Sequence, residues 1–377
     1  MARARAWLEV DLGAIVANAR ALAARVAPAS LCAVVKANGY GHGMVPVARA
    51  LEGAKMPGLR LAVFSVGEAA ALRDAGTAAP ILVLGPVDDG DLSVAAGIGK
   101  LEIALLAEES LDLFARRGVA THLKVDTGLN RFGVALKRAP LALRRCRELG
   151  VNLAGIFSHL ANAEDLDKEF TLQQTERLRK VAVEFARPAR SRSGAGAPLL
   201  HIAASAAAMM WPQTRLDMVR CGIALYGAWP SQEVQGFMAG EARAFKLAPA
   251  LRWLAPVAQV RDVPLGDTVG YGRAFVAQRD SRIAMLPLGY ADGLPRAAGM
   301  GKTRARISRA NGHGSASAPI AGRVCMNVCM LDVTDAVPAP APGDVVEFDV
   351  EDVARAAGTI NYEILAALPA HLERRYR

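Results

Sequence analysis

Cysteine is scarce and never closely paired: Cys32, Cys146, Cys221, Cys325 and Cys329 are odd in number, widely spread, and form no CxxC. This excludes a disulfide framework and a zinc site, and points to a reducing compartment. Long apolar runs are missing as well. The most apolar stretch, residues 201–211, is far shorter than the roughly 20 residues of a membrane span, so no transmembrane segment is expected. Aromatic residues make up only 5% of the chain, and the 45 Lys and Arg are scattered rather than interleaved with aromatics along one face. The net charge of +9 therefore reads as a solvated basic surface, and no nucleic-acid partner is expected. Arg3 and Arg5 resemble the start of a signal peptide, but Glu9 and Asp11 interrupt the place of its apolar segment. A cytoplasmic location is expected.

What is present is a chain of 377 residues, 52% hydrophobic, enough for about two domains. From residue 31 to about 227, short apolar runs alternate with segments of helical period. Eight strand candidates follow in order: LCAVVK (31–36), LAVFSV (61–66), PILVLG (80–85), LEIAL (101–105), THLKVD (121–126), LAGIFSH (153–159), LLHIAAS (199–205) and DMVRCGIAL (217–225). Helical stretches such as 66–76, 109–118 and 136–150 lie between them, the last closed by Gly150. Such a run predicts an α/β fold with a (β/α)8 TIM barrel over 1–240. After about Glu241 the helical period stops, and RWLAPVAQVRDV, RIAMLPLGYADG, RVCMNVCMLDV and DVVEFDV predict a mainly antiparallel β domain over 241–377. The segments 188–198 and 337–344 read as loops, and there is no internal repeat beyond the βα alternation.

Catalytic groups of a barrel collect where its strands end. Lys36 ends the first strand candidate and is followed by the glycine-rich ANGYGHG. Lys124 and Arg131 flank VDTGLN, His159 ends the sixth candidate, Ser205 the seventh, and Arg220 lies in the eighth. Each alone is more simply a structural or surface residue, but unrelated strand ends do not turn polar together, so jointly they mark one site. After the eighth strand, Gly222 and Ile223 offer backbone N–H groups and Ser205 a hydroxyl to a phosphate. An amine able to form a Schiff base, a phosphate pocket and an arginine for a ring nitrogen together describe a pyridoxal phosphate site.

The segments AVVKANGYGHG, KVDTGLNRFG, MVRCGIALYG, VGYGRAF, LPLGYADGLPR, GRVCMN and NYEIL, in this order along nearly the whole chain, resemble the successive signatures of the alanine racemases. The resemblance implies an isomerase that interconverts L- and D-alanine on pyridoxal phosphate and supplies D-alanine for peptidoglycan. Lys36 would be the Schiff-base lysine and one catalytic base, with Tyr40, Ser205, Gly222, Ile223 and Tyr362 around the phosphate. Arg220 would face the ring nitrogen, His159 would stack near the ring, and Arg131 would orient cofactor and substrate beside Lys124, which is often carbamylated in this family. Tyr271 would be the second base and Met326 would offer its backbone to the substrate, both reaching the site of the partner in a homodimer, with Tyr290 and Arg323 at the entrance. For Tyr271 the plainer alternative is a tyrosine of the β-domain core, and Cys325 reads as packing.

Three positions depart from the pattern. Ala204 stands where an Asn is common, Asn130 where Gly is common, and Asn327 where an Asp usually follows the Met. They put efficiency and strictness for alanine in doubt, not the reaction class. A decarboxylase of the same architecture would carry a GGG phosphate loop, and this chain has no GGG. A non-catalytic pyridoxal phosphate carrier would be a barrel alone, without the β domain.

Overall fold

The computed structural model describes residues 5–186, 197–241, 245–309 and 315–377. The loop expected at 188–198 lies outside the described residues except for its end. The chain divides into two compact units, one of Gly13–Gly39 and Met44–Pro249, the other of Met1–Leu12, Tyr40–Gly43 and Ala250–Arg377.

The first unit is a closed barrel of eight parallel strands: Ser30–Val34, Arg60–Val63, Ile81–Val83, Leu101–Leu105, Ala120–Asp126, Leu153–Phe157, Leu199–His201 and Met218–Cys221. Each pairs with the next, and the eighth returns to the first with Met218 opposite Ser30. Strands covered on both faces need continuous apolar runs rather than alternation. Ile81, Leu82 and Val83 meet that need and are wholly buried. Helices cross between the strands, among them Val66–Asp74, Leu111–Arg117 and Ala139–Glu148, the last followed by Gly150 at φ 68°. Several strands stop earlier than the apolar runs suggest. The first ends at Val34 rather than Lys36, the sixth at Phe157 rather than His159, and the seventh at His201 rather than Ser205. The residues beyond leave the hydrogen-bonded ladder and bend into the loops of the barrel mouth.

The second unit is mainly antiparallel. Its largest sheet has the order Ser315–Pro319, Arg304–Ser308, Val345–Phe348, Leu251–Pro256, Trp7–Val10 and Glu373–Tyr376, and only the last pair is parallel. A second sheet joins Gln259–Val263, Ser281–Leu286 and Cys329–Asp332. Two features differ from expectation. The strand Trp7–Val10 belongs to this sheet and not to the barrel, with Arg252 bridging Glu9 and Glu347 across three strands. The unit also contains helices Val350–Ala357 and Asn361–Ala366. The first is fixed by Asp349, whose side chain accepts from the Asp352 N–H, and by Gly358 at φ 73°. Among the described residues no helix is long and apolar enough to cross a membrane.

Candidate active site

Lys36 is half-buried and opens a turn in which Ala37, Asn38 and Gly39 take φ of 53°, 52° and 62°. Two of these are not glycine, and left-handed backbone of this kind persists only where its surroundings hold it. Here the Ala37 N–H donates to Glu68 Oε1 (2.8 Å), and Asn38 Oδ1 accepts from the Met44 N–H (3.0 Å). Lys36 Nζ lies 5.8 Å from the Phe64 ring centre. Burial, then the charge of Arg131, lowers the Lys36 pKa from the usual lysine range, with Glu68 opposing. The neutral amine, the form that attacks a carbonyl, is easier to reach than in a free lysine.

Lys124 lies within the fifth strand, 6% exposed, with Nζ between the rings of Phe132 and Phe157 at 5.7 and 5.8 Å. Burial, then the charges of Arg131 and Arg220, pushes its pKa down to about 8. The loop that carries Arg131 is shaped by Asp126, whose Oδ1 accepts from the N–H groups of Gly128, Leu129 and Asn130 at 2.8, 3.0 and 3.1 Å. Asn130 takes φ 56°, a conformation Asn tolerates better than most residues, so its replacement of Gly leaves the loop intact.

Ser205 opens the helix Ser205–Met210, and its Oγ accepts from the Gly222 N–H at 3.0 Å. Since the hydroxyl accepts there, its own proton is left for an anion. Ala204 gives this helix no side-chain cap, which is the local consequence of its departure from Asn. Arg220 is 4% exposed. Its Nη1 donates to His201 Nδ1 (2.6 Å), and its Nη2 faces Ser158 O (2.8 Å), Ile202 O (3.1 Å) and His159 Nδ1 (3.2 Å). Among the described residues no acceptor faces Arg220 Nε. Burial lowers the Arg220 pKa to about 10, which leaves it a cation at neutral pH. Burial, then the charge of Arg220, holds His159 far below the usual histidine range, so its ring is neutral.

These residues supply an amine with a lowered pKa, a hydroxyl proton, and a buried cation whose Nε–H is uncommitted. A molecule with an aldehyde, a phosphate and an aromatic ring nitrogen matches that donor set, so pyridoxal phosphate fits. No carboxylate belongs to the set, so nothing in it would protonate a ring nitrogen.

The remaining predicted residues lie in the second unit. Tyr271 sits between Gly270 and Gly272, at φ 77° and 68°, and is 71% exposed, so it is not a core tyrosine. It lines a cavity of about 400 Å³ with Tyr290, Arg296, Arg323, Val324 and Cys325. Residues 323–327, expected to continue a strand, form a loop that leaves Met326 exposed. The Met326 carbonyl accepts from the Ala291 N–H (2.9 Å). A Cβ at Gly289 would come within 2.2 Å of that carbonyl, so only glycine permits the approach. The rings of Tyr40 and Tyr362 lie 6.3 Å apart in the same unit.

The predicted set thus forms two groups. Lys36, Lys124, Arg131, His159, Ser205, Arg220, Gly222 and Ile223 belong to the barrel, and Tyr40, Tyr271, Tyr290, Arg323, Met326 and Tyr362 to the β unit. Sequence reasoning missed His122, His201 and Glu102, which lie behind Arg220. The available signal was a histidine in the middle of each of two apolar strands, THLKVD and LLHIAAS.

Comparison with known proteins gives one answer over both units. A family model described as alanine racemase, N-terminal domain, matches residues 10–230, and one described as alanine racemase, C-terminal domain, matches residues 250–376. The alanine racemase of Desulforamulus reducens is 37% identical over 388 residues, covering 98% of each chain. Among solved structures, the alanine racemase of Streptomyces coelicolor is similar at 32% identity and a TM-score of 0.86, over 100% of this chain and 98% of that one. The biosynthetic alanine racemase of Pseudomonas aeruginosa is similar at 32% identity and a TM-score of 0.83, over 100% of both.

Proposed function

The chain belongs to the alanine racemase family and is an amino-acid racemase, an isomerase, and we propose that it interconverts L- and D-alanine by two-base proton transfer with pyridoxal phosphate, as a cytoplasmic homodimer with shared sites. When bound, the cofactor supplies an aldehyde carbon that captures the substrate amine and a conjugated ring that takes up the electron pair left at Cα. Lys36 Nζ would hold that aldehyde carbon until the substrate amine takes its place, which leaves Lys36 free as a base. Ser205, Gly222, Ile223, Tyr40 and Tyr362 would hold the phosphate, Arg220 would face the ring nitrogen, and His159 would lie against the ring. Arg131 orients the substrate beside Lys124, and the Met326 backbone binds the substrate carboxylate. Lys36 removes the proton from D-alanine, and Tyr271 of a second copy removes it from L-alanine, with Tyr290 and Arg323 at the entrance. The D-alanine formed serves peptidoglycan synthesis.

The observation that carries this reading is the Lys36 amine, its pKa lowered by burial and by Arg131, on the same unit as the buried Arg220 cation whose Nε–H is uncommitted. The exposure of Tyr271 and Met326 on their unit, and of Phe64 and Phe132 on the barrel unit, supports surfaces that a second copy covers. Purified protein loaded with pyridoxal phosphate should be assayed with alanine, serine, lysine and arginine. Racemisation of alanine is expected, and borohydride should fix the cofactor on Lys36. An adduct on another lysine, or no D-alanine formed, would overturn the reading. Growth of a D-alanine auxotroph on expression of the chain tests the peptidoglycan role.

A further inference from the structure

A polar chain runs through the barrel behind Arg220. Arg60 Nε donates to both oxygens of Glu102, at 3.3 and 3.3 Å. Glu102 Oε2 lies 3.1 Å from His122 Nε2, His122 Nδ1 lies 2.8 Å from His201 Nε2, and His201 Nδ1 lies 2.6 Å from Arg220 Nη1. Both imidazoles are wholly buried. Room is made for them: a Cβ at Gly155 would fall 2.2 Å from His122 Nδ1, and the Phe157 ring stacks on His201 at 4.9 Å with 4° between planes.

The donors and acceptors allow one arrangement. A guanidinium only donates, so His201 Nδ1 accepts and its proton sits on Nε2. That proton is given to His122 Nδ1, so the His122 proton also sits on Nε2 and is given to Glu102. A second proton on His201 would face the Arg220 donor, and one on His122 would face the His201 donor, so either would break the chain. Burial, then the charge of Arg220, holds His201 far below the usual histidine range, which agrees with a neutral ring. Two apolar residues would fill this space without desolvation cost, whereas a satisfied buried network fixes geometry. The carboxylate at one end polarises each bond in turn and strengthens the acceptor at His201.

We infer that Glu102, acting through His122 and His201, is a positioning residue that fixes the orientation of the Arg220 guanidinium and leaves its Nε–H as the donor for a ligand in the barrel. The part concerning a ligand rests on the reading of Arg220 as the residue facing the cofactor's ring nitrogen. The polar chain itself does not.

The chain has six histidines, so selective ¹⁵N-histidine labelling of the full protein, with single substitutions for assignment, reads the proton position on each ring. Both His122 and His201 should be neutral with the proton on Nε2. A proton on Nδ1 of either ring, or a doubly protonated ring, overturns the inference. In the loaded enzyme, Glu102→Leu removes the last acceptor. It should shift the visible absorption of the bound cofactor and lower kcat about tenfold or more, with KM for alanine little changed. Glu102→Gln, which keeps an acceptor, should recover most of both. A folded Glu102→Leu protein with wild-type spectrum and kcat overturns the inference. Should that variant not fold, Gly155→Ala, which pushes on His122, gives the same readouts. Wild-type protein that takes up no pyridoxal phosphate would instead overturn the reading of the site, while the ring tautomers still decide whether the polar chain exists.

Discussion

A free phenol ionises near pH 10, so a tyrosine that acts as a base near neutral pH needs a cation or a hydrogen-bond partner nearby. Arg296 and Arg323 line the same cavity as Tyr271. Removing a positioned base costs on the order of 10² to 10⁴ in rate, so Tyr271→Phe should lose most racemisation in both directions while still taking up cofactor. In deuterated water, that variant should exchange the α-hydrogen of D-alanine, through Lys36, much faster than that of L-alanine. Equal exchange from both enantiomers would end the two-base assignment. Lys124 carries a prediction of its own. With its pKa lowered to about 8, the neutral amine becomes the main form as pH rises through that range. The neutral amine adds CO2, and Arg131 and Arg220, whose charges depress its pKa, would stabilise the resulting anion. Bicarbonate should therefore add the mass of one CO2 at Lys124, more completely as pH rises through 8. No adduct at high bicarbonate above that pH would show that the residue stays an amine.

The helix Val66–Asp74 does more than close a βα unit. Ser65 Oγ accepts from the Glu68 N–H, and Glu68 reaches back to the Phe64 and Ser65 N–H groups, a capping box. The same carboxylate holds the Ala37 N–H, so one helix start also anchors the left-handed turn after Lys36. Ser65→Ala should cost about 1 kcal/mol of stability and little activity, since only the cap is lost. Glu68→Ala should cost a similar amount and also lower kcat, because the Lys36 turn loses its tether. Denaturant titration and kcat measured side by side separate the two effects, and equal kcat in both variants would refute the tether. Elements of this kind mark the limit of what the sequence makes legible. The eight barrel strands can be read because burial on both faces demands unbroken apolar runs. Their ends cannot, since Lys36, His159 and Ser205 continue those runs in pattern while leaving the ladder in space. Trp7–Val10 is too short for a pattern to assign it to a sheet, and its partners lie more than 240 residues away. The Glu102, His122 and His201 chain joins strands far apart in sequence, so no local spacing announces it. Lys36, Arg220 and Tyr271 were legible because each stands in a motif whose neighbours, glycines above all, specify unusual backbone.

At the scale of the whole molecule the question is whether one copy suffices. The predicted residues divide between the barrel unit, with Lys36, and the β unit, with Tyr271. If each site takes its lysine from one copy and its tyrosine from another, a monomer has no complete site and activity should follow dimerisation. Two dead variants decide this. Lys36→Ala lacks the cofactor amine and Tyr271→Phe the second base, so neither homodimer works. In a hybrid dimer of the two, one site takes both damaged residues and the other takes neither. Equal mixing gives hybrids in about half of the dimers, each with one working site of two, so about a quarter of wild-type activity should return. The recovery should appear only after subunits exchange, and should follow the rate of exchange measured by mass spectrometry on isotope-labelled protein. Were both residues of a site drawn from the same copy, every site in the mixture would carry one lesion, and verified exchange would restore nothing.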